Sequence, residues 1–204
     1  MISFELSEEQ RVAQATIGEF ARAELRPVAQ AIDREGQIGA PTLAALWSAE
    51  IIQAQAADDA AGQRSPIMNA LLLEELAAAD ATLALATAAP MAFVQAIVDQ
   101  GSAAQREALL PLFSAGAFQA AAVLLMEPGF RFDVTRLAAT AERAGGGYVL
   151  RGGKTLVPLA ADCSHFLVIA SSAGAPDAFI VPRAAAGVDV GAAPGTLGLR
   201  GLCL

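Results

Sequence analysis

The chain has 204 residues, 55% of them hydrophobic and only 5% aromatic, and a formal net charge of -8. That is ample Ala and Leu for one large or two small domains, and an acidic balance with no cluster of Lys and Arg among aromatics excludes a nucleic-acid-binding surface. Cys163 and Cys203 stand too far apart for a zinc pattern or a disulfide framework, which fits a reducing cytoplasm, and the opening Met1 to Glu5 lacks the basic and apolar regions of a secretory signal.

The first half runs at a helical period. Ser7 followed by Gln10 makes a capping box that predicts a helix from about residue 8, with Val12, Ala15, Ile17, Phe20, Ala21 and Leu25 on its apolar side up to Pro27. A second segment, Val28 to Glu35, closes at Gly36. A third runs from Pro41, whose missing N–H is harmless in a first turn, to Ile51, with Trp47 as a core anchor. Asp58 and Asp59 have no basic or metal-binding partner nearby and read as a solvated loop. The helix opened by Pro66 carries Glu74 and Glu75, which point about 100° apart and so cannot share one substrate atom. They read as one solvated and one interhelical carboxylate. The uncharged run from Ala81 to Val98 spans 18 residues but contains Thr82, Thr87, Gln95 and Pro90, which predicts a buried helix broken at the proline rather than a membrane span. A last helix follows Gly101 and stops at Gly116.

The chain changes character between Leu125 and Asp133. Gln119 to Leu125 reads as a buried strand, and Glu127-Pro128-Gly129 ends it in a sharp loop, either a site held by rigid flanks or a plain interdomain turn. Leu137 to Arg143 and Gly147 to Arg151 flank Ala144-Gly145-Gly146 as a hairpin. The glycine run lacks the strand-to-helix setting of a phosphate loop. His165 is the sole histidine. Its neighbours Asp162, Cys163 and Ser164 do not make a triad, because successive strand residues point to alternate faces. Phe166 to Ala170 and Ala178 to Pro182 read as further strands.

Several of these stretches resemble the acyl-CoA dehydrogenase family. Glu127, Pro128, Gly129 and Asp133 are similar to its Thr-Glu-Pro-x-x-Gly-Ser-Asp signature, with Met126 and Phe132 where the flavin-holding Thr and Ser would stand. "LLLEELAAADATLAL", "GSAAQREALLPLFSAG", "AFIVPRAAAGVDV" and "LGLRG" resemble family segments closely, the last with Leu202 in place of Ser or Thr. "YVLRGGK" resembles the run that leads to Trp-Ile-Thr or Trp-Ile-Ser under the flavin ring, here Leu156-Val157-Pro158. Ala57 to Gly62 stands where the family has Pro-Glu-Glu-Tyr-Gly-Gly.

The resemblance implies an α+β fold, with an α-helical domain over residues 1–117 and an incomplete antiparallel β-barrel-like domain over 118–204. It implies FAD as cofactor and acyl-CoA thioesters as substrates, with a catalytic glutamate in a C-terminal helical domain that this sequence does not contain. No catalytic residue and no metal ligand is therefore assigned. Flavin contacts reduce to backbone groups of Glu127, Pro128, Gly129 and Val157. Two readings follow: a truncated or divergent dehydrogenase that is inactive alone, or a non-catalytic subunit (or decaying gene product). In either, the chain is expected as a homo- or hetero-oligomer with a dehydrogenase subunit of the same family.

Overall fold

A computed structural model of the chain describes residues 5–57, 65–129, 132–191 and 195–204. The readings of Met1 to Phe4 and of Asp58 and Asp59 fall outside the described residues. The chain divides into two compact units, a helical unit reaching to Gln119 and including Gly195–Leu202, and a β unit starting at Ala120 and including Cys203–Leu204. The α+β division expected from the sequence is observed.

The helical unit contains α1 (Glu8–Phe20), α2 (Ala29–Glu35), α3 (Ala40–Ser48), α4 (Gln53–Ala56), α5 (Pro66–Ala79), α6 (Ala81–Gln100) and α7 (Ala103–Leu109). Ser7 and Ser102 each form the full reciprocal capping box, with Gln10 and Gln105. α1 runs on into a π-helical turn, Ala21–Leu25, in which the Arg26 N–H reaches back to the Ala21 carbonyl at 2.9 Å. α2 ends at Gly36 in the left-handed region, φ 72°. Of the two carboxylates on α5, Glu74 is exposed and Glu75 accepts from Gln14 Nε2 on α1 at 2.9 Å, as the sequence implied. Trp47 is half-buried and meets Phe118 edge-on with ring centroids 6.3 Å apart, while its neighbour Leu46 is the fully buried anchor of α3.

α6 corrects one expectation: it is continuous through Pro90. The ring removes one N–H and crowds the carbonyl of Ala86, a penalty of about 3 kcal/mol in a free helix. Here Pro90 is itself buried, between Thr87 and Met91 and in line with Phe93, Val94 and Ile97, so packing on the surrounding helices holds the turn. Among the described helices α6 alone is long and apolar enough to cross a bilayer, and 56% of its most apolar window is buried in the fold, as in a core helix.

The β unit is one open five-stranded sheet of β1 (Ala120–Leu124), β2 (Thr140–Ala144), β3 (Gly147–Arg151), β4 (Cys163–Ser172) and β5 (Ala175–Pro182). β4 is its centre. It pairs antiparallel with β5 and parallel with β1, so the pairing is mixed where the sequence suggested antiparallel strands throughout. The β2–β3 hairpin and two loops lie between β1 and β4, a connection long enough to permit the parallel pairing that a tight hairpin could not. The hairpin turns at Gly145, φ 59°, and joins β4 at Thr140 opposite Ser171. Ala139, Ala141, Ala170 and Phe179 form its buried cluster, flanked by Leu150 and Val181.

Candidate functional site

The loop after β1 is organised by one carboxylate. Glu127 turns back into the β unit: Oε2 accepts from the Ala138 N–H and Oε1 from the Ala139 N–H, both at 2.8 Å, and Oε1 also accepts from Lys154 Nζ at 3.0 Å. Lys154 Nζ donates as well to the Leu125 carbonyl at 3.1 Å. The Lys154 and Glu127 side chains are only 6% and 11% exposed. Burial pushes the Glu127 carboxyl up, but the two backbone donors and the ammonium outweigh it and hold it below the ordinary value. The Thr155 N–H donates to the Met126 carbonyl at 3.0 Å, so the segment after β3 is pinned to the end of β1 twice, once by charge and once through the backbone.

Around this clasp the other predicted positions take distinct places. Pro128 and Gly129 are exposed, Gly129 at φ 126°. Asp133 caps its own turn by accepting from the Thr135 N–H and Oγ1, which lower its pKa. Val157 is buried and Leu156 is 48% exposed. Leu156 and Leu159 both hold left-handed backbone, φ 55° and 54°, and the Leu159 carbonyl accepts from the N–H groups of Asp162 and Cys163. Non-glycine residues in this region carry a cost of about 1–2 kcal/mol each, so the segment is fixed by its surroundings rather than by local preference. Cys163 is buried and its thiol is pushed up to about 12 by desolvation, which makes it inert as a nucleophile. His165, on β4, lies 3.1 Å through Nδ1 from Ser164 Oγ, and burial lowers its pKa.

One face of the sheet bounds an open cavity of about 370 Å³, walled by Leu124, Phe166, Val168 and Val181 with Lys154 and Thr155 among its polar lining. Glu127, Lys154, Met126 and Thr155 are thus brought together, while the Asp162 to His165 run forms no catalytic constellation. No group of three His, Cys, Asp or Glu suited to a metal ion occurs among the described residues. Sequence reasoning missed the partnership of Glu127 with Lys154. The available signal was that Lys154 is the chain's only lysine, set among apolar and glycine residues.

The family model for "Acyl-CoA dehydrogenase, N-terminal domain" matches residues 7–117, and that for "Acyl-CoA dehydrogenase, middle domain" matches residues 122–204. The chain is 28% identical to a mitochondrial isovaleryl-CoA dehydrogenase of Pongo abelii, over 96% of this chain and 49% of that protein. It is 29% identical to a cyclohexane-1-carbonyl-CoA dehydrogenase of Geobacter metallireducens, over 97% and 53%. Among solved structures, a glutaryl-CoA dehydrogenase of Mycobacterium smegmatis in complex with FADH2 superposes with a TM-score of 0.84 at 20% identity, covering 96% of this chain and 50% of that one. A butyryl-CoA dehydrogenase of Megasphaera elsdenii gives 0.83 at 22%, covering 98% and 55%. The chain spans about half the length of the curated relatives it matches. Two adjacent family domains, matched in order on a fold of the same architecture, mean that the chain belongs to the acyl-CoA dehydrogenase family.

Proposed function

We propose that this protein serves the acyl-CoA thioester chemistry of its family as a scaffold, and has given up the side-chain grip on flavin that turnover of its own would need. The observation that carries the reading is the donor set. The clasp of Glu127, Lys154 and the Ala138 and Ala139 N–H groups is complete, so the loop keeps its shape. Yet Met126, Phe132, Leu156 and Pro158, the four positions where the resemblance places flavin contacts, offer no side-chain N–H or O–H and no indole. The residues present do not fit FAD beyond backbone groups of Glu127, Pro128, Gly129 and Val157. Each hydrogen bond lost to a charged group weakens binding by about 1.5–3 kcal/mol, so two such losses lower affinity by roughly two to four orders of magnitude.

The purified chain is expected to be colourless and, with added FAD and an electron acceptor, to leave acyl-CoA thioesters unoxidised. Near-stoichiometric flavin in the preparation would overturn this. It would support the second reading, FAD-dependent α,β-desaturation of an acyl-CoA, which the names of the relatives and the intact loop favour. In the scaffold reading the partner is a dehydrogenase subunit of the same family.

A further inference from the structure

The register of the sheet puts apolar side chains from three strands on one face. Leu124 on β1 and Phe179 on β5 both pair with Val168 on β4, and Val181 on β5 pairs with Phe166. Leu124, Val168 and Val181 are only half-buried, because they face the cavity of about 370 Å³. That volume falls within the range of small-molecule sites, about 300–1,000 Å³, and such walls gain by exchanging water for an apolar occupant. Lys154 and Thr155 line the same cavity. Of the three ammonium donors of Lys154, the Leu125 carbonyl and Glu127 Oε1 take two. The third has no acceptor among the described residues, although the side chain is only 6% exposed. The Thr155 hydroxyl is likewise without a hydrogen-bond partner among them.

We propose that this cavity binds an uncharged, medium-chain amphiphile with one terminal oxygen acceptor, such as a primary amide. Its alkyl chain lies along Leu124, Val168 and Val181, and its oxygen accepts from the Lys154 ammonium and the Thr155 hydroxyl. The charges around the cavity decide against an ionised head group. Glu127 already neutralises Lys154 at 3.0 Å and Glu142 takes Arg151 at 3.3 Å, which leaves Asp189 as the one uncompensated charge of the lining among the described residues. A carboxylate would bring a further anion beside Glu127, and an amine would set a second cation against the Lys154 ammonium. A neutral carbonyl oxygen meets the waiting donors without either cost.

Methyl NMR of the full chain with octanamide, octanoate and octylamine tests this. Octanamide should move the methyl signals of Leu124, Val168 and Val181 saturably, and both charged probes should bind at least about tenfold more weakly. Thr155→Val, which keeps the backbone N–H on the Met126 carbonyl, should weaken octanamide by about threefold to tenfold, as the loss of one neutral hydrogen bond does. Val168→Phe, which fills the cavity from β4, should remove binding, and if that variant does not fold, Thr155→Val carries the test. The proposal is overturned if octanamide leaves those methyls unmoved, if octanoate or octylamine binds as well, or if either folded variant keeps full affinity. It is also overturned if the three methyls shift with protein concentration alone and octanamide does not compete, since a second copy of the chain then covers this face.

Discussion

Lys154 is the only lysine of the chain and is closed into a clasp with one carboxylate and one backbone carbonyl. A compact ammonium with freely rotating donors suits two acceptors on neighbouring stretches better than a planar guanidinium does. Lys154→Ala leaves Glu127 charged and nearly buried on two donors, so a loss of about 2–3 kcal/mol is expected, read as a shift in the urea midpoint. Glu127→Gln keeps one carbonyl oxygen as an acceptor but turns its NH2 toward the other backbone N–H, so it too is expected to lower the urea midpoint. The pH dependence has a definite sign. The folded Glu127 carboxyl lies below its ordinary 4.5, so the unfolded chain binds the proton more readily. The clasp's contribution is complete above pH 4.5 and is lost as pH falls through the depressed folded value, and Glu127→Gln should flatten the stability profile there. His165, held below its ordinary 6.5 by burial, acts with the same sign but from pH 6.5 downward, so acid titration of the two variants Glu127→Gln and His165→Gln separates the windows. The sequence showed Glu127 as part of a loop but not the direction of its carboxylate, because Lys154 is 27 residues away and no local rule links the two.

The elements whose limits were legible are those set by local chemistry. The capping box at Ser7, the glycine that ends α2 and the hairpin at Gly145 follow from neighbours within a few residues, whereas the second box, at Ser102, was not read from the sequence. α6 did not, because packing decided whether Pro90 would break it. The π turn after α1 is likewise unmarked in the apolar pattern, which continues unbroken to Leu25. The end of β3 offers a sharper test. Gly152 holds φ 142°, and a Cβ there would sit 2.7 Å from the Cα of Ala139, a residue of the hairpin core cluster. Gly152→Ala combines backbone strain with a clash that no rotamer relieves. It should lower stability by about 2–4 kcal/mol, with near-UV circular dichroism of Tyr148 against Phe179, whose rings lie 4.9 Å apart, reporting the loss.

At the scale of the whole molecule, family membership was legible because motif spacing survives where side chains have changed. The assignment of Gly195–Leu202 to the helical unit was not, since the run from Ala178 onward reads continuously as β-domain sequence. In the β unit, β3 pairs on one side only among the described residues and shows Tyr148 and Val149, 47% and 42% exposed. An apolar edge strand of this kind favours association. Co-expression with an intact dehydrogenase of the family is therefore expected to yield a complex that survives sedimentation. A monodisperse monomer that leaves the dehydrogenase unbound would remove the scaffold reading. The single lysine has one more consequence. Acyl thioesters acylate exposed amines without any enzyme, and this chain's only side-chain amine is sealed in an ion pair. It should resist such adduct formation among acyl-CoAs, and an amine-directed reagent should mark Lys154 only when the clasp opens, at most once per chain.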